Sequence, residues 1–556
     1  MNGEQLVLAV LLVYVAGLCL FPLFRLASQA VIGLDDTAAI GRVLAEPRVL
    51  QATVRTIVAS LGAMAVSLVI GTGLALAIEL ADIRGKSAFT FLALLPMLVP
   101  AQIAALAWLE LTGPGSTVLG PLGLAPAPGG QNWLYSPEGI VLLLGIEHST
   151  MVFLAVRAGM RGLPADLVEA AQVAGARRLR VIRSIVLPLL RPSLVAGGAL
   201  AFVAAVGNFG IPAILGIPAR YTMLTALIYQ RLSGFGPSAL GEVAVLSMIL
   251  VAIVAVGLLV QHLAGRGRMI VVAGDGTRIK PFLLGRWRIA VEAAVCAVLF
   301  AISVMPLLAL LGTSLIQALG LRLNPDTITL DHYAAVFESA VARRGFLNSA
   351  WLSIGAAAGT FVAAVPLAYL LAVRRSRPAA ILQVIADAPF AIPGTVLSIA
   401  FILAFLPPLP LLGIGLYGTA AILLLAYLAR FLALGLKPTI AGMAQLDPAL
   451  EEAARIVGAG SLRRLRSIVL PSAAPAAAAG ALMVVMSAYN ELTVSALLWS
   501  TGHETVGVVI FNLNDEGNAT TAAAASVIAV LVTLIAAAAA GLLARRLPKG
   551  VLPWQT

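Results

Sequence analysis

Glu491 in "AYNELTV" and Asn208 in "VGNFGIP" are polar side chains set in runs that are otherwise almost wholly apolar. An ionisable or amide group in such surroundings is unfavourable unless something uses it, so each is a candidate for chemistry. A carboxylate there could repel anions or transiently stabilise a cation; a helix–helix hydrogen bond, with Glu491 neutral or paired, is the plainer reading. Tyr489 and Asn490 flank it and share the same candidacy. Glu147 and Arg430 form a second set: opposite charges that could pair with each other, or that each sit at a helix end facing water. Asp387 lies in another apolar run, next to Pro389 and Pro393, with no partner evident.

Other chemistry is not supported by spacing. The "GKS" at 85–87 ends like a phosphate loop, but Leu80 stands where the upstream Gly is required and no strand precedes it. "NLNDEGNATTAA" (512–523) begins like a calcium loop, yet Ala523 takes the place of the bidentate Glu. His148, His262, His332 and His503 are widely spaced, and Cys19 and Cys296 both fall inside apolar runs, so neither zinc site nor disulfide framework is indicated. With no nucleophile–base constellation, the chain does not read as an enzyme, and no catalytic residue, resident cofactor or metal site is expected.

The elements that position these residues must be membrane helices. The chain is 60% hydrophobic and only 11% charged, with a mean hydropathy of +1.01, whereas soluble domains carry about 25% charged residues. Apolar runs near 20 residues recur throughout. They are expected at 6–24, 54–80, 88–111, 139–158, 193–215 and 240–263, then at 289–315, 348–373, 379–406, 416–436, 474–498 and 522–543. The expectation is an all-α polytopic membrane protein of about twelve transmembrane helices. "MNGEQ" lacks Lys and Arg and no small-x-small site follows, so the first run reads as a span and not a cleaved signal peptide.

A net charge of +11 raises the prospect of nucleic acid, but its distribution opposes that reading. The basic residues gather in alternate loops: Arg84 and Lys86, Arg177 to Arg183, Arg266 to Arg288, Arg374 to Arg377, Arg463 to Arg466, and Arg545 to Lys549. Several of the opposite loops pair their fewer bases with acids such as Asp35, Asp36 and Glu46. The positive-inside rule then places both termini, the middle linker and both repeated segments in the cytoplasm.

The chain is duplicated. "VEAAQVAGARRLRVIRSIVLP" (168–188) reappears as "EEAARIVGAGSLRRLRSIVLP" (451–471). In this register Glu169 lies over Glu452, Gly175 over Gly458, Asn208 over Glu491 and Glu147 over Arg430. Upstream, the Pro-rich "LLPMLVP" (94–100) lies over "DAPFAIP" (387–393), each opening a third span. Two six-helix halves are expected, 1–264 and 289–556, with a polar cytoplasmic linker at 265–288. Because each half has an even number of spans, the repeats are parallel.

In the second copy Asp447 suits an N-cap and Pro448 the first turn; Gly458 can then close the helix in the left-handed region. Pro164, Asp166 and Gly175 repeat the arrangement. A short amphipathic helix with an abrupt turn suits a groove on a cytoplasmic partner. Helices lying on anionic headgroups are the alternative for one copy, but two matching copies favour docking.

The pattern Glu-Ala-Ala, three residues, Gly, nine residues, Ile-x-Leu-Pro resembles the signature loop of binding-protein-dependent ABC importer permeases of the type I fold. The resemblance implies that the loops at 160–190 and 440–472 couple to two separate ATPase subunits, which bind ATP and Mg. Glu169, Ala170, Ala171 and Gly175, with Glu452, Ala453, Ala454 and Gly458, inherit that coupling role. It also implies a periplasmic solute-binding protein that delivers cargo. The stretches 208–230 and 490–524 look like the fused permeases of the ferric-iron group, whose relatives handle thiamine, phosphonates, polyamines and sulfate. Ferric iron leads on this resemblance, with Tyr489 and Glu491 as compatible groups; thiamine, an aminophosphonate, a polyamine or sulfate stay open. A secondary transporter driven by an ion gradient is the rival class.

Overall fold

The computed structural model describes residues 3–32, 37–127, 129–235, 239–265, 281–408, 413–445 and 448–544. Among these residues the protein is helical, with only two isolated bridges, Ala81 to Phe282 and Ile316 to Ile328. Nine described helices are long and apolar enough to cross a membrane, or up to twelve if each of three bent pairs is one span. An all-α polytopic membrane protein is the natural outcome, since a helix satisfies its backbone internally in lipid.

Proline explains where the helices bend. Lys86–Leu98 meets Ala101–Thr112 at 105°, and Arg377–Ala391 meets Gly394–Phe405 at 111°. Val99 and Ile392, which precede Pro100 and Pro393, are both extended, because the proline ring disfavours the α conformation of the residue before it. The Pro-rich segments expected to open the third span of each half therefore lie midway along it.

A second proline signature is a widened turn. π-helical segments Ala16–Leu20, Ile182–Val186, Phe300–Val304 and Leu465–Val469 run up to Pro22, Pro188, Pro306 and Pro471 respectively. Each proline lacks an N–H and crowds the carbonyl four residues back. The i→i−5 bond, as from Leu187 N–H to the Ile182 carbonyl, carries the helix past that gap.

The polypeptide packs into two compact units that do not follow the sequence repeats. One comprises Met1–Leu50, Leu227–Val251 and Leu330–Thr556; the other comprises Gln51–Ala226 and Ala252–Thr329. Thus the chain's first span packs among helices of the second repeat, where the Tyr14 hydroxyl donates to the Leu428 carbonyl at 2.8 Å and Phe21 meets Phe405 edge-on at 6.3 Å. Correspondingly, the second repeat's first span, Gly285–Ser314, belongs to the unit holding most of the first repeat. There the helix Met305–Ser314 packs on Ala101–Thr112, and Thr313 donates to Glu110 at 2.9 Å. Duplication describes the sequence; packing exchanges the first spans.

Candidate functional site

Two arrangements concentrate the candidate residues, and each occurs twice. The first is the pair of segments expected to dock on a cytoplasmic partner. In one, the helix Ala165–Val173 buries Ala165 and Val168 while Ala170 and Val173 face outward. Gly175 follows at φ +78°, and its counterpart Gly458, after the helix Pro448–Ile456, at φ +77°. Both ends close by the same 6→1 bond: Ala176 N–H to the Ala171 carbonyl at 2.9 Å and Ala459 N–H to the Ala454 carbonyl at 3.0 Å. That closure requires a left-handed residue, which glycine supplies without a Cβ clash.

Just before each glycine stands an apolar residue out in the open. Val173 is 90% exposed and Ile456, 283 positions later, is 85% exposed. Glu169, Ala171 and Ala454 are half-buried, and Ala170, Glu452 and Ala453 are exposed. The second helix begins at Pro448 as expected, but the start of the first differs. Pro164 occupies the N-cap position with no side-chain cap bond, and Asp166 lies in the first turn, where its charge suits the helix dipole. Asp447 lies outside the described residues.

The second arrangement is a polar node where the fifth span of each half breaks. The helix Arg191–Gly207 ends at Asn208, whose Nδ2 donates to Glu147 Oε2 at 3.0 Å while its Oδ1 accepts from Ile211 N–H at 3.1 Å. Glu147 also lines a small cleft with Leu95, Val99, Trp108, Ile302 and Pro306. In the other unit, the helix Leu470–Tyr489 ends at Asn490, and the next residue, Glu491, caps the following turn. Its carboxylate accepts from Val494 N–H at 2.9 Å, from Ser495 N–H at 3.1 Å and from the Thr493 hydroxyl. Arg430 Nε lies 3.9 Å from Glu491 Oε1, and its guanidinium also reaches the Ile392 carbonyl at 3.5 Å.

Each node therefore joins positions that the repeat register aligns as two separate sets. Glu147 meets Asn208, and Arg430 meets Glu491, each within its own unit. Both carboxylate oxygens of Glu491 are engaged by these donors. Tyr489 is buried, and Asn490 Nδ2 donates to Thr533 in the sixth span at 2.7 Å. Among the described residues no three His, Cys, Asp or Glu side chains gather as a metal site would need.

The two nodes also bring the third and fifth spans into contact, with a glycine on opposite sides. A Cβ on Gly210 would lie 2.7 Å from the Gln102 backbone nitrogen, while one on Gly394 would lie 2.0 Å from Thr493 Oγ1. In the repeat register Gly210 corresponds to Thr493, and Ala101 to Gly394.

Sequence reasoning missed several ion pairs because their partners are distant in the chain. Arg157 Nε reaches Glu79 Oε1 at 2.6 Å. Arg231 sits between Glu46, at 2.6 Å, and Glu242. Arg344 lies 3.5 Å from the buried Glu504, while Asn348 donates to the Gly502 and Glu504 carbonyls. Charge inside or beside an apolar run was the available signal. Asp387 is half-buried with Oδ1 lacking a hydrogen-bond partner.

Comparison with known proteins adds family context. Residues 67–265 and 364–549, more than half of the chain, match the model for binding-protein-dependent transport system inner membrane components. The chain is 28% identical over 425 residues to the Sinorhizobium fredii protein named "Probable ABC transporter permease protein y4fN", covering 75% of this chain and 73% of that one. It is 25% identical over 462 residues to the ferric transport system permease protein FbpB of Actinobacillus pleuropneumoniae, covering 80% of this chain and 64% of the relative. It is 31% identical over 252 residues to the sulfate transport system permease protein CysT of Salmonella typhimurium, covering 45% and 88% respectively.

Proposed function

We propose a function that starts from what the chain is: it belongs to the family of binding-protein-dependent transport system inner membrane components, the membrane permeases of ABC importers. Hydrolysis of ATP, with its Mg, belongs to two separate ATPase subunits that seat on the segments 160–190 and 440–472. A periplasmic solute-binding protein hands over the cargo, and both termini of the chain lie in the bacterial cytoplasm.

One observation carries the docking assignment. Val173 and Ile456 present an apolar side chain almost fully outward, each two residues before a left-handed glycine. Two identical grooves on a pair of ATPase subunits are the natural complement of two such helices. Glu169, Ala170, Ala171 and Gly175 form the first docking helix, and Glu452, Ala453, Ala454 and Gly458 the second. Closure of the ATPase pair displaces both segments together and shifts the permease between inward- and outward-open states. Nucleotide must favour one state by several kcal/mol for that shift to be decisive.

The pathway reading rests on the two nodes, with Asn208 and Glu491 at breaks of equivalent spans and Tyr489 and Asn490 beside them. Ferric iron is the cargo we favour, by likeness to the FbpB relative over 80% of this chain. Thiamine, an aminophosphonate, a polyamine and sulfate are the alternatives, the last named for a relative that matches a shorter stretch. The engagement of both Glu491 oxygens argues that a cation passes the node without being ligated there.

Reconstitution in proteoliposomes tests the class. Uptake that requires the ATPase, the binding protein and ATP is expected; uptake by the permease alone under an ion gradient would make it a secondary transporter. Titrating the binding protein with ferric iron, thiamine, 2-aminoethylphosphonate, a polyamine and sulfate tests the cargo.

A further inference from the structure

Residues 281–292, which lead from the inter-repeat linker into the second repeat's first span, are bonded into the unit that holds the first docking segment. Phe282 is buried, and its N–H donates to the Leu80 carbonyl at 2.7 Å, beside the parallel bridge between Ala81 and Phe282. Leu284 N–H donates to Asp82 Oδ1 at 2.9 Å. In return, Arg84 N–H donates to Glu292 Oε1 at 2.8 Å, and Arg288 holds the same carboxylate at 3.0 Å. Finally Arg178, at the start of the docking segment's second helix, donates to the Leu283 carbonyl. Four hydrogen bonds thus tie three stretches together: the loop between the second and third spans, the docking segment, and the entry to a span from the other repeat.

The second unit repeats the theme with different residues. There the helix Gly3–Val15 packs against Ser461–Arg464, the helix that corresponds to Arg178–Val181 in the repeat register. In both units, then, the second helix of a docking segment meets the entry to a first span that belongs by sequence to the opposite repeat.

We propose that residues 281–292 are a splint that positions the first docking segment, so that its displacement by an ATPase subunit is carried directly into the first span of the second repeat. Asp82 and Glu292 are its positioning residues, each accepting a backbone N–H across the joint. A docking helix joined to the membrane only through its own two chain ends would dissipate part of each displacement in bending. The splint makes loop, docking segment and exchanged span move as one body. This proposal rests on the docking function above.

The test has three arms. First, hydrogen exchange on the permease alone in nanodiscs, without any ATPase, reads whether the splint exists. The amides of Leu284 and Arg84 should be protected, with Asp82→Ala releasing the first and Glu292→Ala the second, while Asp82→Asn, which keeps an acceptor oxygen, retains protection. Free exchange in the unmodified chain would overturn the splint whatever the fate of the docking reading. Second, in the reconstituted importer, Asp82→Ala with Glu292→Ala should lower solute moved per ATP hydrolysed by about fivefold or more, and Asp82→Asn alone should not. An unchanged ratio would refute the proposal. Third, Ala81→Cys with Phe282→Cys, in a chain whose Cys19 and Cys296 are replaced by Ala, allows the joint to be locked by oxidation. Transport that continues when locked supports a joint closed throughout the cycle, and arrest reversed by dithiothreitol would show that it must open, contrary to the proposal.

Discussion

Arg430 lies 3.9 Å from Glu491, and the two aligned positions of the other repeat, Glu147 and Asn208, lie 3.0 Å apart. Duplication has kept the contact between the fourth and fifth spans while changing its chemistry. One unit uses an ion pair and the other a carboxylate with a neutral amide.

Removing one partner of the ion pair should be worse than removing both charges. Arg430 and Glu491 side chains are 19% and 5% exposed, so Arg430→Leu leaves a carboxylate buried without its counter-charge. A loss of about 3 kcal/mol is expected, the lower end for a broken buried pair because Arg430 keeps some exposure. Arg430→Leu with Glu491→Gln should recover at least half of it, as read from denaturation midpoints in detergent.

The contact between third and fifth spans offers a swap. Gly394→Ala should impair uptake, because its Cβ would meet Thr493 Oγ1 at 2.0 Å and Arg430 Nη1 at 2.9 Å. Adding Thr493→Gly recreates the Ala101–Gly210 arrangement of the other unit and should restore transport. Failure of this rescue, with normal membrane insertion, would show that the two nodes are not interchangeable in packing.

Exposed apolar residues on the proposed docking helices should matter only when the partner is present. Val173→Asp or Ile456→Asp should weaken ATPase association roughly tenfold each, with no change in the thermal stability of the permease alone. Gly175→Val or Gly458→Val forces a β-branched residue to φ near +78° or +77°, a strain of about 1–3 kcal/mol. Such chains should insert normally yet hydrolyse ATP without proportionate uptake.

Glu504 gives a pH signature outside the spans. Burial alone would raise its pKa, but the N–H groups of Gly502 and of Glu504 itself, with Arg344 alongside, outweigh burial and hold it below the ordinary carboxylate value. Its contribution to stability is therefore full above the ordinary carboxylate range and is lost as the pH falls through the lowered value. Melting temperature measured against pH should decline less steeply in acid for Glu504→Gln than for the unmodified chain.

Much of this architecture is legible in the amino-acid sequence. Proline and glycine act locally, so the left-handed turns at Gly175 and Gly458 follow from residue type and neighbours. The bends at Pro100 and Pro393 have equally local causes, although those Pro-rich segments read as the openings of their spans and lie midway along them. Partner choice is different. Helices such as Leu240–Gly265 and Ala519–Ala544 are apolar on every side, so no stripe says which neighbour each one meets. For that reason the exchange of first spans left no periodic trace. The same limit applies to the polar residues: register aligned Glu147 with Arg430 and Asn208 with Glu491, but only packing could reveal that contacts run across these sets. Arg157 with Glu79, and Phe282 with Leu80, were hidden because segments far apart in sequence supply the two sides.

The exchange of first spans also sets a timetable for biogenesis. Tyr14 leaves the ribosome well before Leu428, whose carbonyl it bonds 414 residues later in the chain. At about 5–20 residues per second, that helix waits roughly 20–80 s in the bilayer before its final neighbours are made. Its apolar circumference, which gave no hint of a packing partner, is what lets it wait in lipid without harm.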